Sequence, residues 1–274
     1  MIRITALMEN IAGREDLAAE HGLSLLVEYG GHRVLFDCGQ SGMFLENARR
    51  MEISLENLDA VVLSHSHYDH AKGYRELAQA GLAAPVLYTG EGFFEPKYSR
   101  QEGGCSDRSC GFDRAFLKTY RIDHRETQSA AEIFPGMWLV TGFPRKTEFE
   151  TIPEKFLRKT ETGCLQDDFR DEVCLALEAD DGVVMIVGCS HPGIVNMVKE
   201  VRVRLGRRVL AVYGGTHLSE ASGERLHRTL DALAEAGVET LGFCHCSGTD
   251  VEALVEADPG FRGCHLGSGD RIIL

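Results

Sequence analysis

The sequence predicts an α/β fold of four layers, an αββα sandwich in which two mixed β-sheets lie face to face with helices outside. Its strand-like and helix-like segments occur in two successive sets, and each set can form one sheet with helices on one side only. Packing the two bare sheet faces together is the stable way to bury them. The 274 residues fit one large domain, and no linker rich in proline or serine interrupts them, so we expect a single domain over residues 1–274.

The first set begins with a β-hairpin, because strand-like residues 23–28 and 33–37 flank two glycines at positions 30 and 31. Helices and strands then alternate over residues 44–51, 57–64, 71–80 and 86–89. Residues 90–115 have no clear periodicity and contain glycines, two cysteines and several basic residues. We therefore expect an irregular insertion or an active-site lid near 90–115.

The second set contains another hairpin, in which strands at 173–178 and 183–187 flank the turn sequence Asp180-Asp181-Gly182. The remaining elements are strands and amphipathic helices, at residues 137–141, 194–205, 209–213, 223–236, 240–243 and 271–274. Gly237 marks the end of the helix over 223–236.

The composition argues against several classes of protein. The net charge of −13 disfavours a nucleic-acid backbone as the main partner, because proteins that bind one carry a positive surface. No apolar run approaches the roughly 20 residues needed to span a bilayer, and the first residues lack a signal-peptide core. We expect a cytoplasmic protein without a membrane partner, whose nine cysteines are core residues or metal ligands rather than a disulfide framework.

The sequence HSHYDH at residues 65–70 carries the strongest functional signal, and it directly follows an apolar strand. His65 and His67 are two positions apart on an extended segment, so their side chains point the same way and can bind one ion. Asp69 and His70 lie on the turn into the next helix and can face a second ion. Imidazole nitrogen and carboxylate oxygen are donors for zinc, iron and manganese, so we predict one or two zinc ions, with iron or manganese as alternatives.

Further candidate ligands stand where other predicted strands end. We predict that His191, His245 and Cys189 bind metal, although either histidine could serve a local role such as capping a helix. His217 is predicted to orient the substrate or to act as acid or base, the alternative being a bond to the backbone at a helix start. Asp37 is expected to hydrogen-bond a ligand histidine or the loop.

Other charged residues are assigned to the surface. The acidic pairs at 167–168, 171–172 and 180–181 are expected to be solvated. The loop around His21 could reach the site, but a purely structural loop is the simpler expectation. A dispersed basic set is expected to be solvated, with contact to an anionic substrate as the alternative: Arg100, Arg108, Arg114, Arg145 and Lys146.

The motif at 65–70, with Asp37-x-Gly39 upstream, resembles the metallo-β-lactamase superfamily. This resemblance covers essentially the whole chain and implies the αββα sandwich, a metal site at the sheet edges and His245 as the last ligand. Two features depart from the superfamily pattern: residues 141–145 replace a Gly-His ligand motif, and Cys189-Ser190-His191 replaces a bridging aspartate. More narrowly, the segments at 20–24, 188–191, 214–218 and 245–248 resemble a branch labelled dihydropterin–ribofuranosylaminobenzene-phosphate synthase-like, which is linked to methanopterin-type cofactor synthesis.

These residues favour a metal-dependent hydrolase in which a metal-bound hydroxide attacks a small, anionic ester, phosphoester or lactone. Asp69 would bind metal and also accept a proton, and the metal would stabilise the charge that develops on oxygen. Three alternatives stay open: an iron-dependent redox enzyme, a non-catalytic metal or metabolite sensor and, from the resemblance alone, a synthase acting on a pterin-pathway phosphate.

Overall fold

The computed structural model describes residues 1–161 and 163–274, which form two compact units. The first unit consists of residues 1–127, 152–171 and 267–274, and the second of residues 128–151 and 172–266. The chain therefore passes from one unit to the other four times. The expectation of a single domain stays a prediction.

The elements are numbered along the chain. The strands are β1 Ile2–Met8, β2 Ser24–Tyr29, β3 His32–Phe36, β4 Ala60–Val62, β5 Val86–Gly90, β6 Lys97–Gln101, β7 Gly104–Asp107, β8 Asp123–Thr127, β9 Ala131–Phe134, β10 Met137–Thr141, β11 Phe156–Thr160, β12 Gly163–Gln166, β13 Val173–Ala179, β14 Gly182–Val187, β15 Val209–Gly214, β16 Thr240–Phe243, β17 Arg262–His265 and β18 Arg271–Ile273. The helices are α1 Met43–Arg50, α2 Tyr68–Ala71, α3 Tyr74–Gln79, α4 Arg114–Thr119, α5 Ile194–Leu205, α6 Gly223–Glu235 and α7 Thr249–Ala257.

The main sheet of the first unit has the order β18-β1-β2-β3-β4-β5-β8. The strands β1, β2, β3 and β18 pair antiparallel, whereas β3, β4, β5 and β8 are parallel. Phe44 of α1 and Tyr74 of α3 belong to the same buried core as Leu35 and Val61 of the sheet. Because parallel strands end at the same edge, this topology brings the residues after β3 next to the residues after β4.

A separate antiparallel sheet of four strands, in the order β12-β11-β6-β7, also lies in the first unit. We call it the small sheet. Its β6–β7 hairpin lies within residues 90–115, the segment for which no regular structure was predicted. The partner strands come from residues 156–166, so local periodicity had no means of revealing the pairing. Whether this segment acts as a lid stays a prediction.

The sheet of the second unit has the order β17-β16-β15-β14-β13-β10-β9. The β13–β14 hairpin turns between Ala179 and Gly182, as predicted, and β14 to β17 run parallel. Side chains of α5, α6 and α7 join the buried core of this unit, which includes Val198, Leu230 and Val251. The loops after β14, β15 and β16 therefore emerge at one edge of this sheet.

The predicted α/β class is confirmed, and α5 has the predicted bounds. The helix predicted over 71–80 is instead divided into α2 and α3 around Gly73. A Cβ atom at position 73 would lie 2.0 Å from the carbonyl oxygen of Cys38, so only glycine allows this close approach. Among the described residues, no helix has the length and apolar character that crossing a bilayer requires.

Candidate metal centre

The motif of residues 65–70 folds into a buried cluster of imidazoles in the first unit. His65 and His67 follow β4, and His70 lies on the short helix α2. The ring centroid of His65 is 4.7 Å from that of His67 and 4.3 Å from that of His70. Burial holds the pKa of His65 well below its usual range and lowers the pKa of His67 to about 3. Both rings are therefore neutral at physiological pH, which is the form that binds metal.

Asp37 orients this cluster from the end of β3. Its Oδ2 atom lies 2.6 Å from Nδ1 of His70, so the ring donates to the carboxylate through Nδ1 and directs the lone pair of Nε2 away from it. Asp37 also accepts hydrogen bonds from the backbone N–H and the hydroxyl of Ser64, both at 2.7 Å. The Oγ atom of Ser64 lies 2.9 Å from Nδ1 of His65. The predicted role of Asp37 beside a histidine matches these contacts.

His21 lies next to Asp69, although the sequence favoured a loop role for it. Its Nε2 atom is 3.1 Å from Oδ2 of Asp69, and its side chain is 56% exposed whereas that of Asp69 is 9% exposed. The same carboxylate oxygen lies 3.9 Å from Nε2 of His70. The loop reaches this position because Gly22 packs against the backbone of Asp69, where a Cβ atom would lie 2.6 Å from the carbonyl oxygen. Asp69 thus faces a histidine that is open to solvent.

A buried lysine supports the same loop from the small sheet. Nζ of Lys97, on β6, lies 2.7 Å from Asp167 and 2.8 Å from Asp171. The other oxygen of Asp171 accepts the backbone N–H of Ser66 at 3.0 Å, between the two histidines. The ring of Phe169 lies edge-on to His67, with centroids 5.3 Å apart.

The prediction that these carboxylates are solvated is wrong for Asp167 and Asp171, which are 1% and 0% exposed. Burying a carboxylate is tolerated where a cation and hydrogen bonds compensate it, and Lys97 supplies the cation. The sequence did not predict these ion pairs because Lys97 lies 70 and 74 positions from its two partners.

In the second unit, His191 follows β14 and pairs with a buried carboxylate. Its Nδ1 atom lies 2.9 Å from Oε2 of Glu172, and the backbone N–H of Ser190 donates to the other oxygen at 2.8 Å. Glu172 is 0% exposed, so its assignment to the surface is also wrong. The pairing fixes the tautomer of His191 as Asp37 fixes that of His70.

His217 and Cys189 come together with Cys246, a residue that the sequence did not single out as a ligand. One donor atom from each of the three lies within 4.8 Å of the others. The backbone N–H of His217 donates to Sγ of Cys246 at 3.3 Å. Burial opposes ionisation of the Cys246 thiol, but hydrogen bonds with Cys189 and His217 hold its pKa well below its usual range. The ring of His217 is also close to that of His191, with centroids 4.7 Å apart.

The backbone at this edge of the second sheet is strained. Ser190, His217 and His245 have φ values of 60°, 51° and 55°, a left-handed region that side chains other than glycine rarely adopt. Such outliers concentrate where a particular side-chain direction is required for function. His245 lies two positions after the end of β16 and one position before Cys246.

The donor sets fit a divalent cation in both units. The first unit offers His65, His67 and His70 as neutral or oriented imidazoles together with the carboxylate of Asp69. The second unit offers the His191 imidazole and the Cys189, His217 and Cys246 group. The ligand roles assigned from the sequence stay predictions.

A family model of the metallo-β-lactamase superfamily matches residues 18–104. A 7,8-dihydropterin-6-methyl-4-(β-D-ribofuranosyl)-aminobenzene-5′-phosphate synthase from Methanocaldococcus jannaschii is 29% identical, over 97% of this chain and 95% of that protein. The uncharacterized protein MJ0448 of the same organism is 30% identical, over 97% and 98% of the two chains. The crystal structure of Tm1679, a metal-dependent hydrolase of the β-lactamase superfamily, is 28% identical with a TM-score of 0.86, over 100% and 99% of the two chains.

Proposed function

Because this chain belongs to the metallo-β-lactamase superfamily, we propose that it is a metal-dependent hydrolase of a small anionic ester, phosphoester or lactone. The observation that carries this proposal is the buried loop of the first unit. It gathers three imidazoles and one carboxylate, and a second carboxylate, Asp37, orients one of the rings. A purely structural loop gains nothing from burying so many titratable groups together.

Membership of the superfamily implies a divalent metal ion, which when bound supplies Lewis-acid activation of water and substrate. We propose zinc, with iron or manganese as alternatives, because imidazole and carboxylate donors suit all three. In the first unit, the ligands that we propose are His65, His67, Asp69 and His70. Cys189, His191 and His245 are the ligands proposed from the second unit.

Asp69 and His21 form a path for a proton. A carboxylate that accepts a proton from the attacking water can pass it to Nε2 of His21, which lies 3.1 Å away and reaches solvent. His217 is proposed to orient the substrate or to exchange a proton with the leaving group. Its place after β15, with a left-handed backbone, supports a functional side chain rather than a loop residue.

The position of Arg108 supports the proposal that the substrate is anionic. Its guanidinium lies 5.6 Å from the ring centroid of Tyr68, and its Nη1 atom is 3.3 Å from the Tyr68 hydroxyl. Tyr68 is the residue before Asp69, so a partly exposed positive charge lies beside the motif. A guanidinium pairs well with a phosphate or carboxylate group of a ligand.

The proposal is tested by metal analysis and by turnover of phosphodiester, phosphomonoester and lactone panels. We expect a divalent metal in protein purified without added metal, and hydrolysis that disappears in Asp69→Ala. A near-stoichiometric iron content with visible absorption and no hydrolysis would instead support the redox enzyme. Bound metal without any turnover across the panels would support the sensor.

A second candidate function is a synthase acting on a pterin-pathway phosphate. It is favoured by the similarity to the archaeal synthase, which extends over 97% of this chain. The test incubates the metal-loaded protein with ribofuranosylaminobenzene 5′-phosphate and a 7,8-dihydropterin whose 6-methylene carbon carries a diphosphate. The amine would displace diphosphate and lose a proton, and mass spectrometry seeks the coupled product. The coupled product would support the synthase over the hydrolase, whereas hydrolysis of the phosphate alone would support the hydrolase.

A further inference from the structure

We propose that, in the second unit, Cys189 binds zinc together with the thiolate of Cys246 and the imidazole of His217, which refines the ligand set given above and makes His217 a ligand in place of its proton-exchange role. This inference goes beyond the proposed hydrolysis, because it concerns metal selection and adds a ligand that neither the motif nor the sequence pattern assigns. The group was identified by distance, since one donor atom of each residue lies within 4.8 Å of the others.

The parallel part of the second sheet places these three residues together. Cys189, His217 and Cys246 follow β14, β15 and β16, which are adjacent strands that end at one edge. In a tetrahedral zinc site with Zn–S bonds of about 2.3 Å, neighbouring donors lie about 3.7 Å apart. The donor atoms of the observed group lie within 4.8 Å of one another, so their spacing exceeds this value by at most about 1 Å.

The backbone around these residues is shaped to hold the thiol of Cys246 in place. The His217 N–H donates to Sγ of Cys246 at 3.3 Å, a bond that strengthens when the sulfur carries negative charge. Gly215 leaves space for the same atom, because a Cβ there would lie 2.6 Å from it. His217 itself has a φ of 51°, a strained conformation that aims its side chain.

The chemistry of the donors selects the ion. Two thiolates and one imidazole form a soft set that favours zinc over manganese or magnesium. Three protein ligands also leave the fourth tetrahedral position open, as in catalytic zinc sites with two cysteines and one histidine. By contrast, the first unit offers nitrogen and oxygen donors, which zinc, iron and manganese all accept.

The proposal is tested with Co²⁺ as a spectroscopic probe in the full chain. Metal-free protein is titrated with Co²⁺, and the near-ultraviolet charge-transfer band from thiolate to Co²⁺ is measured. We expect a band of two-thiolate intensity in the wild type, loss of roughly half of it in Cys246→Ser, and complete loss when Cys189→Ser is added. His217→Gln should leave the thiolate band but weaken Co²⁺ binding roughly tenfold or more. The matched control is Cys264→Ser on β17 of the same unit, which should leave the spectrum unchanged.

A band that Cys246→Ser does not change, or no thiolate band in the wild type, would overturn the proposal. A measurement on the wild type covers the case in which a variant fails to fold. Thiol alkylation followed by peptide mass spectrometry should show Zn²⁺ protecting Cys189 and Cys246 together. Alkylation of Cys246 at the same rate with and without Zn²⁺ would overturn the proposal. None of these readouts depends on turnover, so failure of the hydrolase proposal leaves the test intact.

Discussion

At the scale of single residues, buried carboxylates orient two of the candidate ligand histidines. Asp37 fixes His70 and Glu172 fixes His191, each through the Nδ1 atom of the ring. Such a pairing selects the tautomer whose Nε2 lone pair faces a metal and makes the ring more basic. The sequence predicted the role of Asp37. This residue follows β3, and the motif follows β4, the next strand along the chain. The sequence did not predict Glu172, which stands in a run of acidic residues that resembles a solvated surface.

Replacing Asp37 by asparagine tests this orientation. Asparagine tolerates the left-handed φ of 60° at this position, so the backbone should persist. It lacks the charge and one acceptor, so we expect the affinity for Zn²⁺ to fall roughly 10- to 100-fold, measured by competition with a chelating dye. The control is Glu252→Gln, which alters another carboxylate–histidine pair, 2.9 Å from Nδ1 of His265. Equal affinity in Asp37→Asn and the wild type would contradict the assigned role.

At the scale of elements, the small sheet is connected by hydrogen bonds to the loop that carries the motif at 65–70. Lys97 on β6 binds Asp171, and Asp171 binds the backbone of the loop at Ser66. The elements that the sequence predicts correctly are those specified by nearby residues. The β13–β14 hairpin follows from its turn residues, and α5 follows from helical periodicity. The small sheet joins hairpins that lie about 60 residues apart, and a pairing of that kind leaves no trace in local periodicity.

Replacing Lys97 by methionine should destabilise the first unit. Two buried carboxylates would lose their cation, which costs about 3 to 5 kcal/mol of unfolding free energy, measured by urea denaturation. The control is Lys159→Met at an exposed position of β11 in the same sheet. Adding Asp167→Asn and Asp171→Asn to Lys97→Met should recover part of the loss, because the charges disappear. No recovery in that triple variant would show that packing, rather than charge, explains the effect.

The start of α5 carries a pH-sensitive contact. The carboxylate of Glu150 accepts the backbone N–H groups of Val195 and Asn196, both at 2.8 Å, and burial raises its pKa to about 7. The folded state therefore holds this proton more tightly than the unfolded chain, whose ordinary value is near 4.5. Between these two pH values unfolding releases a proton, so the free energy of unfolding falls as the pH rises.

The measurement compares urea unfolding of the wild type and Glu150→Gln from pH 4 to pH 8. Relative to the variant, the wild type should lose about 3 kcal/mol across this range, because a shift of one pKa unit corresponds to about 1.4 kcal/mol. Glutamine keeps the shape of the glutamate side chain and cannot ionise, so the variant Glu150→Gln is the matched control for the wild type. Parallel pH profiles for the two proteins would contradict the raised pKa.

At the scale of the whole molecule, the sequence predicted the fold class and identified the motif. It did not reveal the full set of residues around the candidate site. The motif at 65–70 is short, so its donors are near one another in any fold that keeps β4 and α2. His21, Lys97 and Cys246 were missed because their roles depend on distant contacts: with Asp69, with two aspartates and with Cys189. The glycine after His21 is consistent with the close approach of this loop to Asp69, where a Cβ atom at Gly22 would lie 2.6 Å from the carbonyl oxygen.

Metal removal should lower the stability of the whole chain. A ligand that binds only the folded state, at a free concentration 100-fold above its Kd, adds about 2.7 kcal/mol. For a protein of this size, a chelator should then lower Tm by roughly 5 to 10 °C, measured by differential scanning calorimetry. The variant His65→Ala should show a smaller response. A Tm unaffected by the chelator, in protein shown to contain zinc, would contradict the role of these residues as ligands.

The pairing of β18 with β1 has a consequence for synthesis of the chain. The outer edge of β1 is completed only by Arg271–Ile273, and 263 positions separate Met8 from Arg271. At about 5 to 20 residues per second, a ribosome needs roughly 13 to 53 seconds to cover that distance. During this interval the backbone groups on that side of β1 have no strand to pair with, which is the condition under which edges recruit other chains. Delayed assembly of the first sheet until Arg271–Ile273 emerge would keep this edge of β1 from pairing with another chain.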